Sequence, residues 1–133
     1  MNRKQMVATS NNAANPNKNV CAQAVAVALG VAGKVKYLHT LADLQRALRT
    51  TYSTRSRKSA LVKGSGTVAS VMRRLKSGEG DARYYVTVVE GHVLLLSGSG
   101  EVLRDTDGRK ADRRKVKFIY GIFPKAGRKW ADA

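Results

Sequence analysis

The spacing of apolar residues changes once along this chain, near Gly80. Before that point it is helical. Residues 21–30, CAQAVAVALG, are Ala-rich and almost wholly apolar, which predicts a buried helix ending at Gly30. Thr40 and Asp43 have the Ser/Thr-x-x-acid spacing of an N-terminal capping box. The LADLQRALR that follows Thr40 therefore reads as a second helix, with Leu41, Leu44 and Leu48 on one face. In TVASVMRRLK (67–76), Val68, Val71, Met72 and Leu75 recur at i, i+3, i+4 and i+7. That stripe predicts a third helix, with Arg73, Arg74 and Lys76 off it. The intervening 51–66 is rich in Ser, Thr, Arg, Lys and Gly and reads as a mobile loop.

After Gly80 the period becomes two. RYYVTVV (83–89), HVLLLS (92–97), EVLRDT (101–106) and KVKFIYGIF (115–123) read as strands separated by Gly-containing turns. Helices first and antiparallel strands after give an α+β class, with N-terminal helices packed on a C-terminal antiparallel sheet. The expected organisation is a flexible arm over 1–18, a single domain over 19–124 and an irregular tail over 125–133.

Register brings two of these strands to a point of chemistry. A two-residue Gly98–Ser99 turn sets Leu96 opposite Glu101 and His92 opposite Asp105. Facing Cβ atoms lie ~5 Å apart, so a carboxylate reaches one imidazole nitrogen. Leu94, Leu96 and Leu103 share that face, which reads as inward. A three-residue turn breaks this register. Asp107 and Asp112 are the alternative carboxylates, and Asp105 by itself can cap the turn in RDTDG. His39 precedes a helix cap with no evident carboxylate partner and reads as a surface or capping residue.

The 133 residues contain one cysteine, Cys21, so no intrachain disulfide forms and one thiol is left to explain. It stands at the start of the first predicted helix. Unpaired N–H groups and the positive dipole end favour a thiolate there and can hold an oxyanion. Such a cysteine is also a common small core residue. With His92 and Asp105 the order is helix-start Cys, strand His and next-strand Asp.

That order, in NVCAQAVAVALGV, YYVTVVEGHVLLLSGSGEVLRDT and KVKFIYGIF, resembles the papain-like cysteine peptidase superfamily, most closely its small bacteriophage-encoded members. The resemblance covers roughly residues 17–123. It implies that Cys21 is nucleophile, His92 general base and Asp105 orienter. It also implies an upstream amide at the oxyanion, with Asn19 or Asn15 to supply it. The implied function is a thiol hydrolase cutting a peptide, isopeptide or related amide bond in a host or phage protein, without a cofactor.

Charge opens a second reading. The formal net charge is +16, which attracts polyanions. Basic residues cluster at 55–63, 73–76 and 109–117. Arg55, Arg57, Lys58, Arg73, Arg74, Arg113 and Arg114 are the expected phosphate contacts for weak, sequence-independent nucleic-acid binding. The alternative function is thus an inactive papain-like binding protein that uses this surface on nucleic acid or a host factor. No metal is expected, because one Cys and two distant His give no ligand spacing. GSGTVAS at 64–70 lacks the lysine of a phosphate loop. No apolar run reaches the ~18 residues of a membrane span. The polar, Asn-rich N-terminus lacks the apolar stretch of a secretory signal, so the expected location is the host cytoplasm.

Overall fold

The computed structural model describes residues 20–107 and 113–126. The N-terminal arm with Asn15 and Asn19, the segment with Arg109, Lys110 and Asp112, and the tail beyond Ala126 lie outside the described residues. The element order is α1 (Val20–Ala28), a 3-10 turn (Ala32–Lys34), α2 (Leu41–Arg49), β1 (Tyr52–Ser56), α3 (Lys58–Leu61), α4 (Val68–Lys76), β2 (Tyr84–Val89), β3 (His92–Ser97), β4 (Val102–Arg104) and β5 (Phe118–Pro124). The class is α+β, with one five-stranded antiparallel sheet in the order β1-β5-β2-β3-β4.

Both faces of the sheet are covered. Val86, Val88, Val93, Leu95 and Ile122 pack with α1 and α2 around Val25, Leu44 and Leu48. Tyr85, Val89, Leu94, Leu96 and Ile119 pack with Leu61, Val68, Val71 and Leu75 of α3 and α4. This corrects the single inward face expected for the hairpin: Leu94 and Leu96 turn to α4, whereas Leu103 packs against the α1 cluster. Buried on both sides, β2 and β3 carry nearly unbroken apolar runs rather than a clean alternation.

The helix starts have the caps the sequence signals. Thr40 accepts from the Asp43 N–H at 3.1 Å, and Asp43 accepts in return from the Thr40 N–H at 3.0 Å. Thr67 caps α4 by accepting from the Ser70 N–H at 3.2 Å. After α1, Gly30 takes φ +73°, a conformation that suits glycine, and the Val31 N–H returns to the Ala26 carbonyl at 2.9 Å.

Two expectations fail. Residues 51–66 are not one loop: β1 and α3 form there, so a strand separates the helices. Tyr52–Ser56 are edge residues of only partial burial, and β5 supplies the ladder that makes them a strand. The second failure is the 97–100 turn. The Gly100 N–H donates to the Ser97 carbonyl at 3.1 Å and the Ser97 N–H to the Glu101 carbonyl at 2.8 Å, so the turn has three residues, 98–100. Leu96 then faces Val102, and a bulge next to it sets Leu95 opposite Arg104.

Packing explains that turn. Gly100 has φ +87°, and a Cβ there would stand 2.5 Å from the carbonyl oxygen of Met72, midway along α4. Gly98 is equally tight, since its Cβ would meet the Ala82 carbonyl at 2.3 Å. The hairpin tip is wedged against backbone on two sides, which sets the start of β4. Gly100→Ala should therefore cost at least about 1–3 kcal/mol, combining strained φ with a backbone clash. Urea unfolding of the variant against the parent protein measures it, and a loss below a few tenths of a kcal/mol contradicts the wedge.

Candidate active site

The second residue of α1 is Cys21, 8 % exposed. Its helix packs on the sheet face that carries Val93 and Leu95. This brings the thiol to the first residues of β3, where Gly91 (φ +65°) turns the chain into His92. Cys21 lies within hydrogen-bond reach of the His92 ring, and the Val93 and Ala22 N–H groups point at its sulfur. Burial alone pushes the thiol pKa up. The His92 hydrogen bond, the Val93 N–H, the His92 charge and the Ala22 N–H together carry it below the ordinary cysteine value.

The His92 Nε2 meets Asp105 Oδ1 at 2.8 Å. The expected partners come together, but not by the expected register. Carried one residue past β4, the observed register sets Asp105 beside Leu94, and His92 reaches it along the diagonal. With Nε2 engaged, Nδ1 is the ring nitrogen left for the thiol. Burial opposes the charged ring. The hydrogen bonds to Asp105 and Cys21 and their negative charge outweigh it and raise the His92 pKa to about 9. Both shifts favour the form of the pair in which a thiolate stands beside an imidazolium.

Asp105 is the more buried partner, its side chain 6 % exposed. Burial pushes its pKa up, yet His92, Arg114 and the Asp107 N–H together hold the carboxyl well below the ordinary carboxylate range. The Asp107 N–H donates to Oδ1 at 3.0 Å, so Asp105 also caps its own turn. Arg114 Nη2 donates to Oδ2 at 2.6 Å. Sequence reasoning placed Arg114 among phosphate contacts. Its side chain is instead 10 % exposed and turned inward. A short Asp-to-Arg spacing across a turn was the only signal available for that pairing.

A cleft of about 430 Å³ opens over the thiol and the ring. Leu41, Val88 and Phe118 give it apolar walls, and Lys117 and His39 stand at it. Phe118 is 43 % exposed, although large and apolar. His39, read as a capping residue, does assist the cap: its N–H donates to Asp43 Oδ2 at 2.8 Å. Its ring stacks on Tyr37 with centroids 5.9 Å apart. The place of His39 and Phe118 at the cleft was not legible from spacing.

The other expected phosphate contacts are scattered in environment. Arg57 is held by Asp81 at 2.9 Å and Arg74 by Glu79 at 3.2 Å. Arg55 and Arg57 lie over the Phe123 ring at 5.3 and 5.2 Å, and Lys58 lies over Phe118 at 5.2 Å. Arg73 and Arg113 are exposed. Among the described residues, no three His, Cys, Asp or Glu side chains gather as a metal site, and no helix is long and apolar enough to cross a membrane. No protein-family model, curated protein or solved structure matches the chain.

The electrostatics favour the Cys21 thiolate relative to that of an ordinary cysteine. Iodoacetamide should label Cys21 faster at pH 6 than an unperturbed thiol, with the rise in rate displaced to lower pH. His92→Ala should return the profile to that of an ordinary cysteine. Equal profiles for the two proteins would dismiss the pairing. The His92 proton also contributes to stability. A pKa raised above the ordinary 6.5 stabilises the fold fully below 6.5, and the contribution is lost as pH rises through about 9. Urea unfolding of the parent protein and His92→Ala at pH 6 and pH 9.5 should show a gap at the lower pH that narrows at the higher.

Proposed function

We propose that this protein is a thiol hydrolase of papain-like mechanism that cuts a peptide or related amide bond. The observation that carries the reading is the chain Cys21–His92–Asp105 beneath an open cleft, with the thiol at a helix start. Each member has the electrostatic state its role requires: a depressed thiol, an elevated imidazole and an ionised orienting carboxylate.

In the first half-reaction Cys21 Sγ attacks the carbonyl carbon, and the C=O electron pair moves onto oxygen. N–H groups at the start of α1 stabilise that oxyanion; the side-chain donor expected at Asn19 or Asn15 lies outside the described residues. The pair returns, the C–N bond breaks, and His92 passes its proton to the leaving amine. In the second half-reaction a water attacks the thioester while His92 takes its proton. The C–S bond then breaks, releasing a carboxylic acid and restoring thiolate and imidazolium. Asp105 holds one tautomer and one ring orientation throughout. The substrate is a protein segment that places an apolar side chain against Phe118, Val88 and Leu41 and an acidic group near Lys117. A host or phage protein in the host cytoplasm is the fitting source.

Incubation with a peptide library and identification of new termini by mass spectrometry tests this. Cleavage should vanish in Cys21→Ala and fall by about 10²–10⁴ in His92→Ala. Termini that persist in Cys21→Ala, or none at all with the parent protein, would refute it.

A second reading has its own observation, the cations stacked over Phe123 and Phe118 at the β1–β5 edge. Rings and cations interleaved in this way suit nucleic acid bound without sequence preference. Log affinity for an arbitrary duplex should then fall linearly with log salt, with a slope of about −0.9 per phosphate contact. The double variant Arg55→Ala, Lys58→Ala should flatten the slope by about one to two units. Absence of binding at low ionic strength ends this reading.

A further inference from the structure

Arg114 takes part in none of the steps above, yet it is the most deeply held cation at the site. Its main chain is pinned before its side chain begins. The Val68 N–H, in the first turn of α4, donates to the Arg114 carbonyl at 2.9 Å. Two residues on, the Val116 N–H donates to the Gly66 carbonyl at 2.8 Å, and Thr67 bridges Lys115 between them. The GSGT segment, which is no phosphate loop, thus serves as a short rail for residues 114–116. From that rail the guanidinium reaches Asp105 Oδ2 at 2.6 Å and Asp107 Oδ2 at 3.5 Å.

We propose that Arg114 is a positioning residue of this site, anchored through its main chain to the start of α4 and holding the Asp105 carboxylate turned toward His92. The proposal rests on the thiol hydrolase reading only in taking Cys21 and His92 as a working pair. The torsion about the Cβ–Cγ bond of an aspartate is broad, so a carboxylate bound through one oxygen alone swings. Asp105 is bound through both: Oδ1 faces His92 and the Asp107 N–H, Oδ2 faces Arg114. The planar guanidinium also spans two carboxylates, which a lysine ammonium does less well. Its positive charge compensates the buried carboxylate on the side away from the ring, so a neutral residue at 114 raises the pH at which Asp105 takes up a proton.

The test needs no substrate. Iodoacetamide labelling of Cys21 is followed from pH 4.5 to 8.5 in the parent protein, R114Q, R114K, D105N and the D105N/R114Q double variant. Thermal melts fix a temperature at which all are folded. R114Q should label about tenfold more slowly than the parent at pH 5 and within about threefold of it at pH 8. R114K should recover to within about threefold at pH 5. In the D105N background R114Q should add nothing, because its influence passes through that carboxylate. Should R114Q fail to fold, R114K carries the same comparison, with a smaller loss in the parent background and none in D105N. Superimposed profiles for the parent and a folded R114Q, or effects of R114Q and D105N that multiply, would overturn the proposal and leave Arg114 as an ion-pair partner of Asp105 and Asp107 only. Labelling that behaves as expected while no peptide is cut refutes the hydrolase and leaves Arg114 in its role. A parent protein that labels like an ordinary thiol removes both.

Discussion

A carboxylate with its side chain 6 % exposed has given up most of its water, which costs roughly several kcal/mol unless other donors replace it. Asp105 has three: the His92 ring, the Arg114 guanidinium and the Asp107 N–H. The rest of the site depends on that replacement. Were Asp105 neutral, His92 would lose the hydrogen bond that leads the forces raising its pKa, and Cys21 would lose the imidazolium that offsets the cost of its own burial. Three ionisable groups, each unfavourable alone in a partly dry place, are tolerable because each is the counter-charge of the next.

The architecture supports this chain by covering both faces of the sheet. The α1 side delivers the thiol to the first residues of β3. On the opposite face α4 anchors two things: the Gly100 turn that starts β4 toward Asp105, and the Arg114 main chain through Val68. The carboxylate and its cation therefore depend on one helix and the thiol on another, with the sheet between them. The site needs no element of its own, only the ends of elements that the core already fixes.

Legibility in the sequence followed the range of the interaction. What depends on residues three or four apart was readable: the Thr40–Asp43 box, the Val68–Leu75 stripe and the Gly30 stop. The pairing of His92 with Asp105 was also reached, through an argument whose register was wrong. Asp105 meets the ring along a diagonal that only the bulge at Leu95/Leu96 creates. A bulge is not encoded in periodicity, and neither is the close approach of the α4 backbone to Gly100 at the tip of the same hairpin. The strand at Tyr52–Ser56 was missed for a related reason. Its residues have weak alternation, and their conformation is imposed by β5, nearly seventy residues away. Arg114 was hidden by composition, since one arginine in a run of basic residues looks like any other until burial singles it out.

Charge composition explains why burial has to do the selecting. The chain carries 25 Lys and Arg against nine Asp and Glu, so almost any carboxylate has a cation nearby. Most such pairs are exposed: Lys117 with Glu90, Arg57 with Asp81 and Arg74 with Glu79 all keep substantial contact with water. Pairs of that kind contribute little, because solvent and salt screen them. The Asp105 pair differs in both partners being nearly covered, 10 % and 6 % exposed, so its field reaches His92 through protein rather than through salt water. The excess positive charge acts on the surroundings at long range and is damped beyond a Debye length of roughly 8 Å. The thiol next to His92 responds instead to a counter-charge at hydrogen-bond distance. Its ionisation is therefore set by the local chain of Asp105, His92 and Cys21 rather than by the net charge.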